Sequence, residues 1–246
     1  MIASYDWSLV WEYRSDFLHG LLTALEVAGV AIVISVVVGL LLALARMGKP
    51  PLSWLAAFYI NVFRGLPVLV TAIWVYFGLS LFLGINFSVF SAAVLALVLL
   101  YGAFISEIYR AALEAIPRGQ REAGLALGMR PLRVFVQIVL PQATKIAIPN
   151  IGSMLIGMVK DTSVFTVIGL VELVRVAQNI NSVTFQAFVL YTAIAAFYVV
   201  IAFVLDFLFR ATERTLATPP RGRIARLVSS RRRKRVAAVV RRVEMA

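Results

Sequence analysis

The chain has 246 residues, 61% hydrophobic and only 15% charged, more apolar surface than one soluble core can hide, so its solvent is read as lipid. With no cysteine and one histidine, His19, nothing supports disulfides, a metal site or a metalloenzyme. The net charge of +12 is not a nucleic-acid signature, because ten basic residues crowd between Arg221 and Arg242, where no folded recognition element accompanies them.

In chain order, residues 1–19 read as an external N-terminal segment. The first apolar run, Leu21 to Ala45, ends in Ala43-Leu44-Ala45, which has the form of a signal-peptidase site. A signal peptide needs a basic start and an apolar stretch of ~7–15 residues. Here Asp6, Glu12 and Asp16 precede a run of 25, so the run is read as a membrane span. Pro50-Pro51 then opens a short elbow helix, Leu52 to Phe63, which Gly65 and Pro67 interrupt. The second span follows from about Leu66 to Leu83; the alternative is one long helix kinked at Pro67. Further spans are expected at Val89 to Ile108, about Ile146 to Leu170, and Ala187 to Phe209.

The expected class is therefore all-α, a polytopic membrane protein with five transmembrane helices. Twenty Lys/Arg fall on one set of connecting segments and two, Arg14 and Arg175, on the other. By the positive-inside rule the N-terminus lies outside and the C-terminus in the cytoplasm.

Between the third and fourth spans lies a polar insert rich in arginine. Pro117 suits the first turn of a helix running through Leu127, and Gly128 suits the left-handed residue that ends it. Pro131 starts a second helix carrying Val134, Phe135, Ile138 and Val139, which is expected to stop before Pro141. The result is a cytoplasmic helix-turn-helix elbow over about 117–141. Small Ala123 and Gly124 leave its first arm narrow, and Glu122, Arg118 and Arg121 can orient a partner. An ordinary capped loop explains the spacing equally well.

The fourth span carries Lys160, Asp161, Thr162 and Ser163. Each charge in an apolar helix costs a few kcal/mol, and neighbours in sequence point different ways, so each needs its own partner. One reading places this patch, with Glu107, on a substrate pathway; the other makes it a structural lock to Glu107 or Arg110. Glu107, Arg110 and Glu114 can also pair along their own helix. From residue 211 to residue 246 the chain reads as a basic cytoplasmic tail drawn to anionic membrane lipid or simply solvated.

Resemblance adds function. Glu122-Ala123-Gly124, then Gly128, then Ile138 and Leu140-Pro141, resembles the EAA loop of the permease subunits of ABC importers of the MetI-like family, with Gly124 in place of the second alanine. Arg64-Gly65-Leu66-Pro67, Ser106-Glu107-Ile108-Tyr109-Arg110 and Lys160-Asp161-Thr162-Ser163 are similar to segments of its polar amino acid branch. The likeness runs from about Gly20 to Arg210, the expected transmembrane domain (20–210).

It implies a permease subunit of an ATP-driven importer in the bacterial inner (plasma) membrane, working by alternating access. The elbow would be the coupling helix, seated in a cytoplasmic ABC ATPase dimer. It also implies an extracytoplasmic solute-binding protein. Five spans enclose a pathway poorly, so a second permease subunit is expected. The chain has no phosphate-binding G-x-x-x-x-G-K-[ST] run, so it is not an enzyme and binds no cofactor of its own; ATP and Mg would be used by the partner. The rival reading is a stand-alone ion-coupled carrier or channel, with Asp161 and Glu107 binding the driving cation.

Overall fold

Small residues set the central contact. In a computed structural model that describes residues 5–217, Ala24, Ala28, Ala31, Ser35 and Ala43 are fully buried along one face of a single helix, Arg14–Arg46. This helix, α2, follows a short α1, Ser8–Glu12. A stripe of small side chains lets another backbone approach closely. That neighbour is α5, Val89–Glu114: a methyl at Gly39 would stand 2.7 Å from Ile105 Cγ2. At 33 residues α2 is about 50 Å long, well beyond a ~30 Å hydrocarbon layer. Beginning at Arg14, it takes the last part of the expected N-terminal segment into the helix.

The interruption at Gly65 and Pro67 produces two helices, not one kinked rod. α3, Leu52–Gly65, and α4, Val68–Leu83, meet at 111°. Proline disfavours helical geometry in the residue before it, and Leu66 is extended at φ −89°, ψ 137°. α3 is tied to α5 by the Tyr59 hydroxyl, which donates to the Leu99 carbonyl at 3.0 Å.

After α5 come α6, Arg118–Ala126, and a long helical rod, α7, Pro131–Ile168. The expected stop before Pro141 is corrected: the helix runs through it. The backbone widens into a π turn over Phe135–Val139 immediately upstream, which relieves the clash between a proline ring and the carbonyl four residues earlier. Gln142 Nε2 donates to the Ile138 carbonyl at 2.7 Å, serving a carbonyl at that irregular turn. The rod finishes as a tighter 3₁₀ segment, Thr162–Ile168.

One element was not anticipated. α8, Leu173–Thr184, buries Leu173, Val176, Ala177 and Ile180, the i, i+3, i+4, i+7 face of an amphipathic helix, against Phe17 of α2 and Leu190 and Ile194 of the last helix. Glu172 caps it: its two carboxylate oxygens accept from the Val174 and Arg175 amides at 2.9 and 3.0 Å, and the Tyr198 hydroxyl donates to it at 2.8 Å. α9, Ala187–Ala217, closes the described chain.

Every regular element among the described residues is helical. Among the described residues four helices are long and apolar enough to cross a membrane, or five if the bent α3–α4 pair counts as one span. Among the described residues, 5–209 form one compact unit. The arginine-rich run from Arg221 to Arg242 lies outside the described residues.

Candidate functional site

Two regions carry the chemistry singled out in the sequence. The first is the α6–α7 elbow. Gly128 takes φ +76°, its amide donates to the Leu125 carbonyl at 3.0 Å, and the Met129 amide donates to the Gly124 carbonyl at 3.2 Å. This pair of bonds is the Schellman ending, and its left-handed residue is tolerated best by glycine. The turn folds α6 back on α7, where Gly124 is buried. A methyl there would come within 2.9 Å of Val134 Cγ2 and 3.0 Å of Ile138 Cδ1. Glycine at this position is thus a packing choice: it lets two helices touch.

The outer side of the elbow is open. Arg118, Arg121, Glu122 and Ala123 are exposed. So are two apolar side chains not selected from the sequence, Leu127 at 83% and Leu132 at 74%. Both flank the turn, and their adjacency to Gly128 and Pro131 was the available signal.

The second region is the polar end of α7. Asp161 is half-buried and accepts a 2.9 Å hydrogen bond from the Tyr101 hydroxyl of α5. Lys160 points elsewhere, into a cavity of about 420 Å³ shared with Tyr198, Phe203 and Asp206 of α9. Thr162 is fully buried and donates to the Val159 carbonyl at 2.6 Å; Ser163 donates to that of Lys160 at 2.7 Å. These hydroxyls serve the backbone where the helix tightens into its 3₁₀ end.

Glu107 is not joined to Asp161. Arg110 holds it at 2.8 Å and also reaches Glu114 at 2.8 Å, the helical ladder expected from their spacing. The lock from α7 to α5 therefore runs through Tyr101, and not through Glu107 or Arg110 as read from charge. Glu107 instead lines a separate cavity of about 410 Å³ with Arg64, Phe104, Asn150 and Met154, in which the Arg64 guanidinium lies 5.8 Å from the Phe104 ring centre. Among the described residues no cluster of three or more His, Asp or Glu could hold a metal.

The chain is similar to known proteins in sequence and in fold. The family described as binding-protein-dependent transport system inner membrane component matches residues 35–218. The glutamine transport system permease protein GlnP of Escherichia coli (strain K12) is 36% identical over 214 residues, covering 86% of this chain and 98% of that protein. The arginine transport system permease protein ArtQ of Bacillus subtilis (strain 168) is 37% identical over 212 residues, covering 86% and 97%. Among solved structures, a crystal structure of an amino acid ABC transporter with histidines superposes with a TM-score of 0.79 at 36% identity, covering 86% of this chain and 99% of that one. The MetNI methionine ABC transporter, in an inward-facing form, shares the fold with a TM-score of 0.72 at 21% identity.

Proposed function

Because this chain belongs to the binding-protein-dependent transport system inner membrane component family, we propose that it is the permease subunit of an ATP-driven ABC importer for a polar amino acid. It is a multi-pass protein of the bacterial inner membrane. The observation that carries the mechanism is the elbow: a rigid, glycine-hinged turn with an exposed charged and apolar outer face, joined without a break to a rod that reaches Asp161.

The elbow faces the cytoplasm, where the basic residues of this and neighbouring segments collect. There Glu122 and Ala123, with Leu127 and Leu132, meet one subunit of a cytoplasmic ATPase dimer, with Arg118 and Arg121 at the rim of that contact. Gly124 and Gly128 keep the two arms of the knob at a fixed angle. When ATP closes the dimer, the knob moves with it. Because α7 is continuous through Pro141, that displacement passes along the rod to the 3₁₀ segment and to the Tyr101–Asp161 contact. ATP and Mg are used by the partner, not by this chain. A second permease subunit completes the pathway, and an extracytoplasmic solute-binding protein delivers substrate to the outer face. Asp161 of α7, at its contact with Tyr101, and Glu107 of α5 present charge toward that pathway, while Lys160 faces the α9 side.

Gly128→Pro tests the reading. Proline cannot adopt φ +76° and has no amide to donate, so the turn is lost while the apolar spans are untouched. Uptake should collapse with membrane insertion intact. Loss of insertion would make the elbow a folding element instead.

A further inference from the structure

A cavity of about 680 Å³ opens at the root of the elbow, between the ends of α2 and α5 and the two arms of the turn. Its floor is apolar, formed by Leu44 of α2, Leu113 of α5, and Val134, Phe135 and Val139 of α7. Arg118 and Arg121 of α6 form a cationic wall. Glu114 also lines it, with both oxygens held by Arg110 at 2.8 and 2.9 Å; Arg110 divides its one charge between Glu114 and Glu107, and the lining still carries two guanidinium groups against one carboxylate. Neither Arg118 nor Arg121 has a hydrogen-bond or carboxylate partner among the described residues.

The volume is that of a small-molecule site, and its two halves ask for one kind of occupant. An apolar floor under two unmatched guanidinium groups fits an amphiphile with an anionic head. Inorganic phosphate would leave the floor wet. A zwitterionic headgroup would bring its own cation against the arginines. The depth also fits, because α2 and α5 end here, at Arg46 and Glu114, where apolar spans give way to polar chain.

We infer that this cavity binds an anionic glycerophospholipid of the cytoplasmic leaflet, its phosphate against Arg118 and Arg121 and an acyl chain over Leu113, Val134 and Phe135. The inference rests on the inward orientation proposed above, since that leaflet supplies the anionic surface. A lipid seated there wedges α6 against the ends of α2 and α5. The angle of the elbow, and so the stiffness of the link to the ATPase, then depends on the membrane's anionic content.

The test uses the full chain assembled with its ATPase in nanodiscs containing traces of a photoactivatable phosphatidylglycerol or of a matched phosphatidylethanolamine. Adducts are mapped by peptide mass spectrometry, which separates this cavity from the basic tail. The expected result is phosphatidylglycerol label severalfold above the other probe on peptides carrying Met47 and residues 113–139. Filling the rim with Met47→Trp, or removing charge with Arg118→Gln plus Arg121→Gln, should each lower that label severalfold and leave tail label unchanged. Equal labelling by both probes, displacement by inorganic phosphate, label unchanged in both variants, or labelling only when the ATPase is stripped away would overturn the proposal. Orientation is checked separately: the chain has no cysteine, so Met47→Cys reports its side cleanly to a membrane-impermeant thiol reagent. Labelling of that cysteine from outside would overturn the orientation itself, whatever the lipid probes do.

Discussion

Tyr101 of α5 donates a 2.9 Å hydrogen bond to Asp161 of α7, sixty residues further along the chain, and so supplies the cross-helix partner that a half-buried carboxylate in an apolar rod requires. Tyr101→Phe should strand Asp161 and cost about 1–3 kcal/mol, read as a lower melting temperature in detergent. Asp161→Asn keeps an acceptor of the same shape, so stability should hold. If its charge faces the pathway, as proposed, uptake should still fall by about tenfold or more, the equivalent of one charged hydrogen bond. Unchanged uptake in that variant would make Asp161 a structural clamp.

Gly124→Ala would raise intrinsic helix propensity by about 1 kcal/mol. The structure sets a steric term against that gain, because the added methyl meets Val134 at 2.9 Å and valine cannot swing aside easily. The single variant should therefore be no more stable than the parent and should lose coupled uptake. Gly124→Ala with Val134→Ala should recover it. Full activity in the single variant would show that the elbow yields at this contact.

Leu127 is 83% exposed beside the hinge, so Leu127→Glu should leave folding and melting temperature unchanged. An apolar anchor at the centre of a partner interface is worth more than about 1 kcal/mol. Co-purification of the ATPase and ATP-driven uptake should then both fall, by about fivefold or more. Retention of both would place the ATPase contact elsewhere on the elbow.

Much of this architecture was legible in the residues, because apolar runs, glycine at a left-handed position and proline after an extended residue act locally. The 111° break at Gly65–Pro67 and the Gly128 turn followed from such rules. The continuity through Pro141 did not, because the rule that proline ends a helix assumes α register, and a π turn changes the register. α8 is too short and too polar on its outer face to stand out as a span, and its apolar face shows only in the repeat at Leu173, Val176, Ala177 and Ile180. Charge pattern points Asp161 to Glu107 or Arg110, whereas a tyrosine sixty residues away leaves no mark in spacing. The dual use of Gly124, helix-weakening yet required for contact with Val134, depends on a neighbour that only the folded elbow brings near.

Burial holds the Glu172 carboxyl above its usual range, against the opposing pull of the hydrogen bonds from Val174, Tyr198 and Arg175. The unfolded chain releases this proton at lower pH than the folded one. The stabilisation is therefore complete below the unfolded value and declines as pH rises through the folded value. The melting temperature of the parent should fall between acidic and neutral pH by more than that of Glu172→Gln. The variant should start about 1 kcal/mol less stable, since an amide can accept from only one of the two capping N–H groups. Parallel pH profiles would remove Glu172 as their source.

The central claim is that a partner ATPase, gripping the elbow, drives this bundle. Its most direct test is amino acid uptake into proteoliposomes holding the purified permease with its binding protein, with and without the ATPase and internal ATP. The account predicts uptake only when both are present, insensitive to collapse of the ion gradients and abolished by Gly128→Pro. Uptake that persists without the ATPase and disappears with the ion gradient would contradict it and establish an ion-coupled carrier.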